Sequence, residues 1–178
     1  DSLSRAKRYN TSITKAPASI CYSTLTDIFV PGFTKKGTLC EGTYPSNTFQ
    51  PPNTTQQEYV IYLPHGYFEE TERRYPVLFY LHGIPGTPQG DSKVLSIVLD
   101  LAIAANLATP MIVVFPNGNT TVETFMGVPV EDLPPLYKKT FSANGQLPNY
   151  WANSSALGNM EDDIVFTLYD FVDANFRT

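Results

Sequence analysis

The side chains able to carry a proton, hold a metal or attack a carbonyl are few in this chain. It has two histidines and two cysteines in 178 residues. Cys21 and Cys40, with no histidines clustered around them, cannot fill a tetrahedral shell, so no metal site is expected, and no cofactor. Their even number fits one disulfide, closing a loop of roughly 20 residues and adding about 3 kcal/mol; the alternative is two unrelated buried thiols. His65 sits in the turn Pro64-His65-Gly66-Tyr67 and is expected to be exposed. His82 lies in Leu81-His82-Gly83-Ile84-Pro85-Gly86-Thr87, behind one apolar run and ahead of another. The nearest approach to a nucleophile elbow, G-x-S-x-G, is Gly90-Asp91-Ser92-Lys93-Val94. It lacks the last glycine and follows no strand, so Ser92 reads as a helix cap, and no Ser–His–acid triad assembles from these residues.

The elements around these residues follow from periodicity. Thr38 to Tyr44 and Glu58 to Leu63 are β-prone runs flanking a turn-rich stretch, an antiparallel hairpin with a long tip. Pro76 to Leu81 and Met111 to Phe115 are short and continuously apolar, as expected of strands buried on both faces of a parallel sheet. Between them Asp91 to Leu107 places Val94, Leu95, Val98, Leu99, Leu101, Ala102 and Ala105 at helical spacing, with Asp91 or Ser92 as N-cap. Strand, helix, strand predicts a right-handed βαβ crossover. A second helix is expected over Met160 to Asn175, with Ile164, Val165, Leu168, Phe171, Val172 and Phe176 as its apolar stripe and Glu161, Asp162 and Asp163 at the positive end of its dipole.

Residues 1–36 are polar and read as an irregular arm tied down by the disulfide. Within them Arg5-Ala6-Lys7-Arg8 reads equally as a dibasic processing site and as a solvated basic stretch. The domain proper is residues 37–178, with a long insertion at 119–157 rich in proline and aromatic residues, Phe125, Tyr150 and the single tryptophan Trp151 among them. A loop of this length is usually functional or disordered, and its aromatic content argues against disorder. A lid bordering a substrate pocket is expected; the alternative is a surface insertion packed on its own rings.

Composition narrows the class. At 42% hydrophobic and 13% aromatic the chain has enough apolar material for one ordered domain. The net charge of -5 argues against nucleic acid or an anionic membrane as partner. No apolar run approaches the ~20 residues that span a bilayer. Asp1 is not an initiator methionine and no signal-like segment follows it, so a mature, processed chain is expected. Four N-x-[ST] sequons, at Asn10, Asn53, Asn119 and Asn153, all in loop-like contexts, point to a secreted glycoprotein.

Four stretches, in order and spacing, resemble the "Putative esterase" family of α/β-hydrolases, which includes feruloyl esterases, acetylxylan esterases, esterase D and the mycolyltransferases. They are Tyr59-Val-Ile-Tyr-Leu-Pro-His-Gly-Tyr67, Tyr75-Pro-Val-Leu-Phe-Tyr-Leu-His-Gly83, Pro110-Met-Ile-Val-Val-Phe-Pro-Asn-Gly118, and Met160-Glu-Asp-Asp-Ile164 with the helix behind it. The feruloyl esterase branch is the nearest likeness, through His-Gly-Ile-x-Gly and Glu-Asp-Asp. The resemblance implies a doubly wound, mostly parallel α/β sheet. It also implies that Gly83 lets the backbone turn so that the Ile84 N–H faces the oxygen of a tetrahedral intermediate, a donor worth about 3 kcal/mol, while His82 orients the loop. Phe125, Tyr150 and Trp151 would line the pocket.

The family pattern continues with a nucleophile strand, an acid and a catalytic histidine, none of which falls within residues 1–178. The fold is therefore incomplete in this chain. A second polypeptide or the C-terminal remainder of a precursor is expected to complete the sheet, with cleavage near Arg177 as one origin and simple truncation as the other. Two functions follow. One is the oxyanion half of a secreted serine carboxylic ester hydrolase, acting on an ester that includes carbohydrate-linked ones, by hydrolysis or acyl transfer. The other is a non-catalytic binding or structural module on the same scaffold.

Overall fold

The computed structural model describes residues 19–46, 56–83, 86–121, 124–125, 128–132, 134–135, 146–148, 151–154 and 158–178. Five strands form one sheet: β1 (Ile20–Ser23), β2 (Thr38–Pro45), β3 (Gln56–Leu63), β4 (Val77–Phe79) and β5 (Ile112–Pro116), in the order β1-β2-β3-β5-β4. The sheet is mixed. β1, β2, β3 and β5 pair antiparallel in turn, and β4 lies parallel to β5.

The predicted hairpin is β2–β3, in register from Thr38 opposite Leu63 to Pro45 opposite Gln56. Its alternate residues feed two cores. Tyr59, Ile61 and Leu63 join Ile112 and Val114 beneath Leu168 and Val172 of the last helix and Phe176 just past it. Val60 and Tyr62 join Val113 and Phe115 beneath Leu99 of the crossover helix. The sheet is thus covered on both faces, which is why β3 and β5 read as unbroken apolar runs. β4 differs from that expectation: it is the edge strand, with Val77 and Phe79 half-buried and Leu78 46% exposed.

The crossover helix, α2 (Pro88–Ala104), begins earlier than Asp91. Thr87 is its N-cap, accepting from the Gly90 N–H at 3.1 Å, and Pro88 fills the first turn, where a missing N–H costs nothing. Ser92 is therefore inside the helix and fully buried, its hydroxyl donating to Gln89 O at 3.4 Å, so it is neither cap nor nucleophile. The face laid on the sheet carries Ser92, Ser96, Leu99 and Asp100, while Val94, Val98 and Leu101 of the expected stripe point outward. Asp100 decides that orientation. Its carboxylate accepts from Tyr62 Oη at 2.8 Å, the Gly37 N–H at 2.9 Å, Thr26 Oγ1 at 2.5 Å and Thr24 Oγ1.

Those threonines belong to the stretch read as irregular. Residues 19–36 in fact carry β1 and a single turn, α1 (Thr26–Phe29). Cys21 and Cys40 are directly opposed in the β1–β2 register and joined as a disulfide. The last helix, α3, runs as Met160–Asp162, a π-helical Asp163–Leu168, then Tyr169–Asn175. Asp163, near the start of the helix, is also fully buried: it accepts from Ser46 Oγ at 2.5 Å and from Tyr44 Oη. Val165 faces outward, 53% exposed, and Phe176 packs just past the helix end.

Candidate active-site loop

Because β4 and β5 are parallel, their C-terminal ends emerge side by side, at the edge where open α/β sheets build their sites. His82 follows one strand and Gly118 the other. Buried at 4% exposure, the imidazole joins them: Nε2 accepts from the Gly118 N–H at 3.1 Å. An amide can only donate, so the ring proton is assigned to Nδ1, which donates to Gly83 O at 3.0 Å. Both nitrogens serve the backbone, and neither is open to a substrate proton.

Trp151 closes the arrangement from above. Its Nε1–H donates to His82 O at 3.0 Å, and the indole meets the imidazole edge-on, centroids 4.9 Å apart and planes at 74°. The indole lies where a side chain on Gly118 would be: a Cβ there would sit 2.5 Å from Cζ2 and Cη2. The loop after His82 is equally tight. The Gly86 N–H donates to Gly83 O at 2.7 Å, and a Cβ on Gly86 would stand 2.8 Å from that oxygen. Asn119, 8% exposed, donates from Nδ2 to Gly86 O at 3.2 Å, while its own N–H is held by Asn117 Oδ1 at 3.0 Å.

Of the residues singled out in the sequence, the structure brings together His82, Gly83, Trp151 and Asn119. Ile84 and Tyr150 lie outside the described residues, as do Asn10 and Asn53. Phe125 belongs to a short ladder, Thr124–Phe125 with Val128–Pro129. Asn153 is exposed, and its Oδ1 accepts from the Asp162 N–H at 3.2 Å, capping the start of α3. His65 is exposed in its turn. Among the described residues no three potential metal ligands cluster, and no helix is long and apolar enough to cross a membrane. Sequence reasoning treated Asn119 only as a sequon and gave Gly118 no part in the site. The signal available was Asn117-Gly118-Asn119, turn-forming residues at the C-terminal end of a buried strand.

A cavity of about 280 Å³ lies elsewhere, between β4 and α3, walled by Tyr75, Val77 and Phe79 on one side and Tyr169 and Val172 on the other. The backbone entering it is already extended: Phe176 leaves α3 with φ -130° and ψ 161°, and Arg177 O accepts from the Tyr75 N–H at 2.9 Å.

Residues 54–178 match the family model described as "Putative esterase". The chain belongs to that family. Among solved structures, this esterase-family chain is similar to a ferulic acid esterase at 18% identity and TM-score 0.59, the match covering 82% of this chain and 46% of that one. It is also similar to a CE1 ferulic acid esterase from the anaerobic fungus Anaeromyces mucronatus, at 21% identity and TM-score 0.53, covering 83% and 46%. At such identities the likeness establishes the fold, of α/β-hydrolase type. The chain spans about half the length of these structures. No curated protein sequence matches it.

Proposed function

We propose that this chain is the oxyanion half of a secreted serine carboxylic ester hydrolase of the feruloyl or acetyl esterase type. The observation that carries the reading is the junction at the C-terminal ends of β4 and β5, where His82 ties the loop after one strand to Gly118 after the other. In this reading a serine outside residues 1–178 attacks the ester carbonyl and a histidine outside them takes its proton. The oxyanion is held by the Ile84 N–H together with an N–H beside that serine. Collapse of the tetrahedral intermediate expels the alcohol and leaves an acyl-enzyme, which water hydrolyses. Phe125, Tyr150 and Trp151 border the acyl or sugar-linked part of the substrate.

The nucleophile strand, from the remainder of the same precursor or from a second chain, docks on the open edge of β4. Support comes from the half-buried Val77 and Phe79, the cavity against α3, and the extended backbone at Phe176 that leads Arg177 beside Tyr75. Secretion is supported by the disulfide and by the sequons.

Fluorophosphonate labelling of the purified native protein, with the labelled peptide identified by mass spectrometry, tests the reading. A label on a Gly-x-Ser-x-Gly peptide co-purifying with this chain is expected. No label, with every co-purifying peptide mapped and no such serine found, would leave a non-catalytic module on an esterase scaffold.

A further inference from the structure

We infer that Asn119 and Trp151 are positioning residues that hold the two ends of the His82–Gly86 loop in place, and that the Asn119 sequon therefore serves the site instead of carrying a glycan. The inference rests on the proposed oxyanion role of that loop.

Two side-chain bonds reach the loop from outside it, both from residues after β5, and a third is made by the loop's own His82 ring. Trp151 Nε1 donates to the carbonyl of His82, where the loop begins. Asn119 Nδ2 donates to the carbonyl of Gly86, where it ends. The His82 ring binds the Gly118 N–H between them. A backbone turn that aims an N–H at a developing charge must hold its peptide planes, because a displacement of about 1 Å in catalytic geometry can cost roughly 100-fold in rate. The first two each fix one peptide plane at an end of the loop, and the third fixes the His82 ring against the end of β5. Trp151 holds its indole there at φ +56°, a conformation a bulky residue keeps only when its surroundings impose it. Asn119 gives the complementary sign. Its Nδ2 is the atom that N-glycosylation would substitute, and that atom, on a residue only 8% exposed, is committed to Gly86 O. The exposed sequon Asn153 uses only Oδ1 in capping α3.

The test uses the full-length protein with Asn119→Asp, which keeps the shape and removes the donor, Asn119→Ala, Trp151→Phe, and Thr121→Ala. The last abolishes the sequon while leaving Asn119 in place. Turnover is normalised to fluorophosphonate-labelled serine, so that loss of folded protein does not count, and amide exchange is read at Gly86 and Gly118. We expect kcat per labelled site to fall about 10-fold to 100-fold in the first three variants with KM nearly unchanged. Exchange at both amides should accelerate, Thr121→Ala should behave as the parent, and peptide mapping should find no glycan on Asn119. A glycan on Asn119 of the active protein overturns the inference. So does a loss in Thr121→Ala equal to that in Asn119→Asp, or faster exchange with unchanged kcat. If the native protein has no labelled serine, the esterase reading fails on its own, and unchanged exchange at Gly86 and Gly118 would still overturn the clamp.

Discussion

The hydroxyl of Tyr62, near the end of β3, donates to the carboxylate of Asp100, in the last turns of α2, at 2.8 Å. The same carboxylate collects Thr24, Thr26 and the Gly37 N–H, so one buried anion joins the sheet, the crossover helix and the N-terminal arm. Its removal strands several buried donors at once, each costing about 1–3 kcal/mol when left unsatisfied. Asp100→Ala is expected to destabilise the native protein by about 3–5 kcal/mol, the range for breaking a buried charged partnership. Asp100→Asn, which keeps one acceptor and lets the threonine hydroxyls turn to accept, should cost about half as much. Urea unfolding of the two variants checks the order; equal, small losses would show that the arm is held by other contacts.

A second consequence concerns alkaline pH. Burial raises the Tyr44 and Tyr62 hydroxyls well above the ordinary tyrosine range, helped by the neighbouring charges of Asp163 and Asp100 respectively, and burial alone pushes Tyr59 up to about 12. A raised folded-state pKa means that the native state keeps a proton the unfolded chain gives up. The stabilisation is therefore complete below about pH 10 and is lost as pH rises beyond it. Absorbance at 295 nm should show these tyrosines resisting ionisation until the protein unfolds cooperatively. Smooth titration of every tyrosine near pH 10 with the fold intact would contradict the packing.

Gly118→Ala tests the contact with Trp151. The added methyl would meet the indole at 2.5 Å, so the ring must shift or the strand end must. Overpacking of this kind costs about 1–3 kcal/mol. Trp151 is the only tryptophan, so its emission reports the event directly. A red shift with a lowered Tm is expected, and an unchanged spectrum would mean that the indole does not lie on Gly118.

The disulfide offers a simpler measure. Cys21 and Cys40 close a loop with a sequence separation of 19 across β1 and β2. Replacing both by alanine should cost about 3 kcal/mol, read as a lower denaturant midpoint. The Asp100 contacts should keep the arm folded, visible as protection of the Gly37 amide.

What could be read in advance follows from how local each cause is. The β2–β3 hairpin, β5 and both helices were legible because their apolar periodicity is a property of short stretches. The start of α2 was legible too, in Thr87-Pro88, but the apolar spacing after Asp91 drew the boundary inward. The direction that helix faces was not legible. It turns Ser92, Ser96 and Asp100 to the sheet because Tyr62 and the threonines of the arm receive the carboxylate, and those partners lie 38 to 76 residues away in sequence. The burial of Asp163 was not legible for the same reason, its partners Tyr44 and Ser46 being more than 100 residues distant. β1 has four residues and no periodicity to show; its pairing with β2 and the disulfide make it a strand. In the site, the His-Gly turn announced itself, whereas the bonds from Asn119 and Trp151 depend on where the chain returns after β5.

The open side of β4 yields the last prediction. Pro76 O accepts from the Ile112 N–H at 2.9 Å and the Tyr80 N–H donates to Val114 O at 2.8 Å, so even-numbered residues turn their backbone groups towards β5. By the alternation of a strand, Val77 and Phe79 turn theirs away, as does Tyr75, whose N–H is already taken by Arg177 O. A parallel strand continuing from that contact would reach Val77 and Phe79 next. Bare edges of this kind invite pairing, and proteins rarely leave an apolar one uncovered. In the native protein the amides of Val77 and Phe79 should exchange as slowly as those of β5, and Leu78→Lys should destabilise by about 2 kcal/mol or more through burial of a charge against the added strand. Rapid exchange at both amides, together with a harmless Leu78→Lys, would show that the edge stays open and overturn the proposed strand addition.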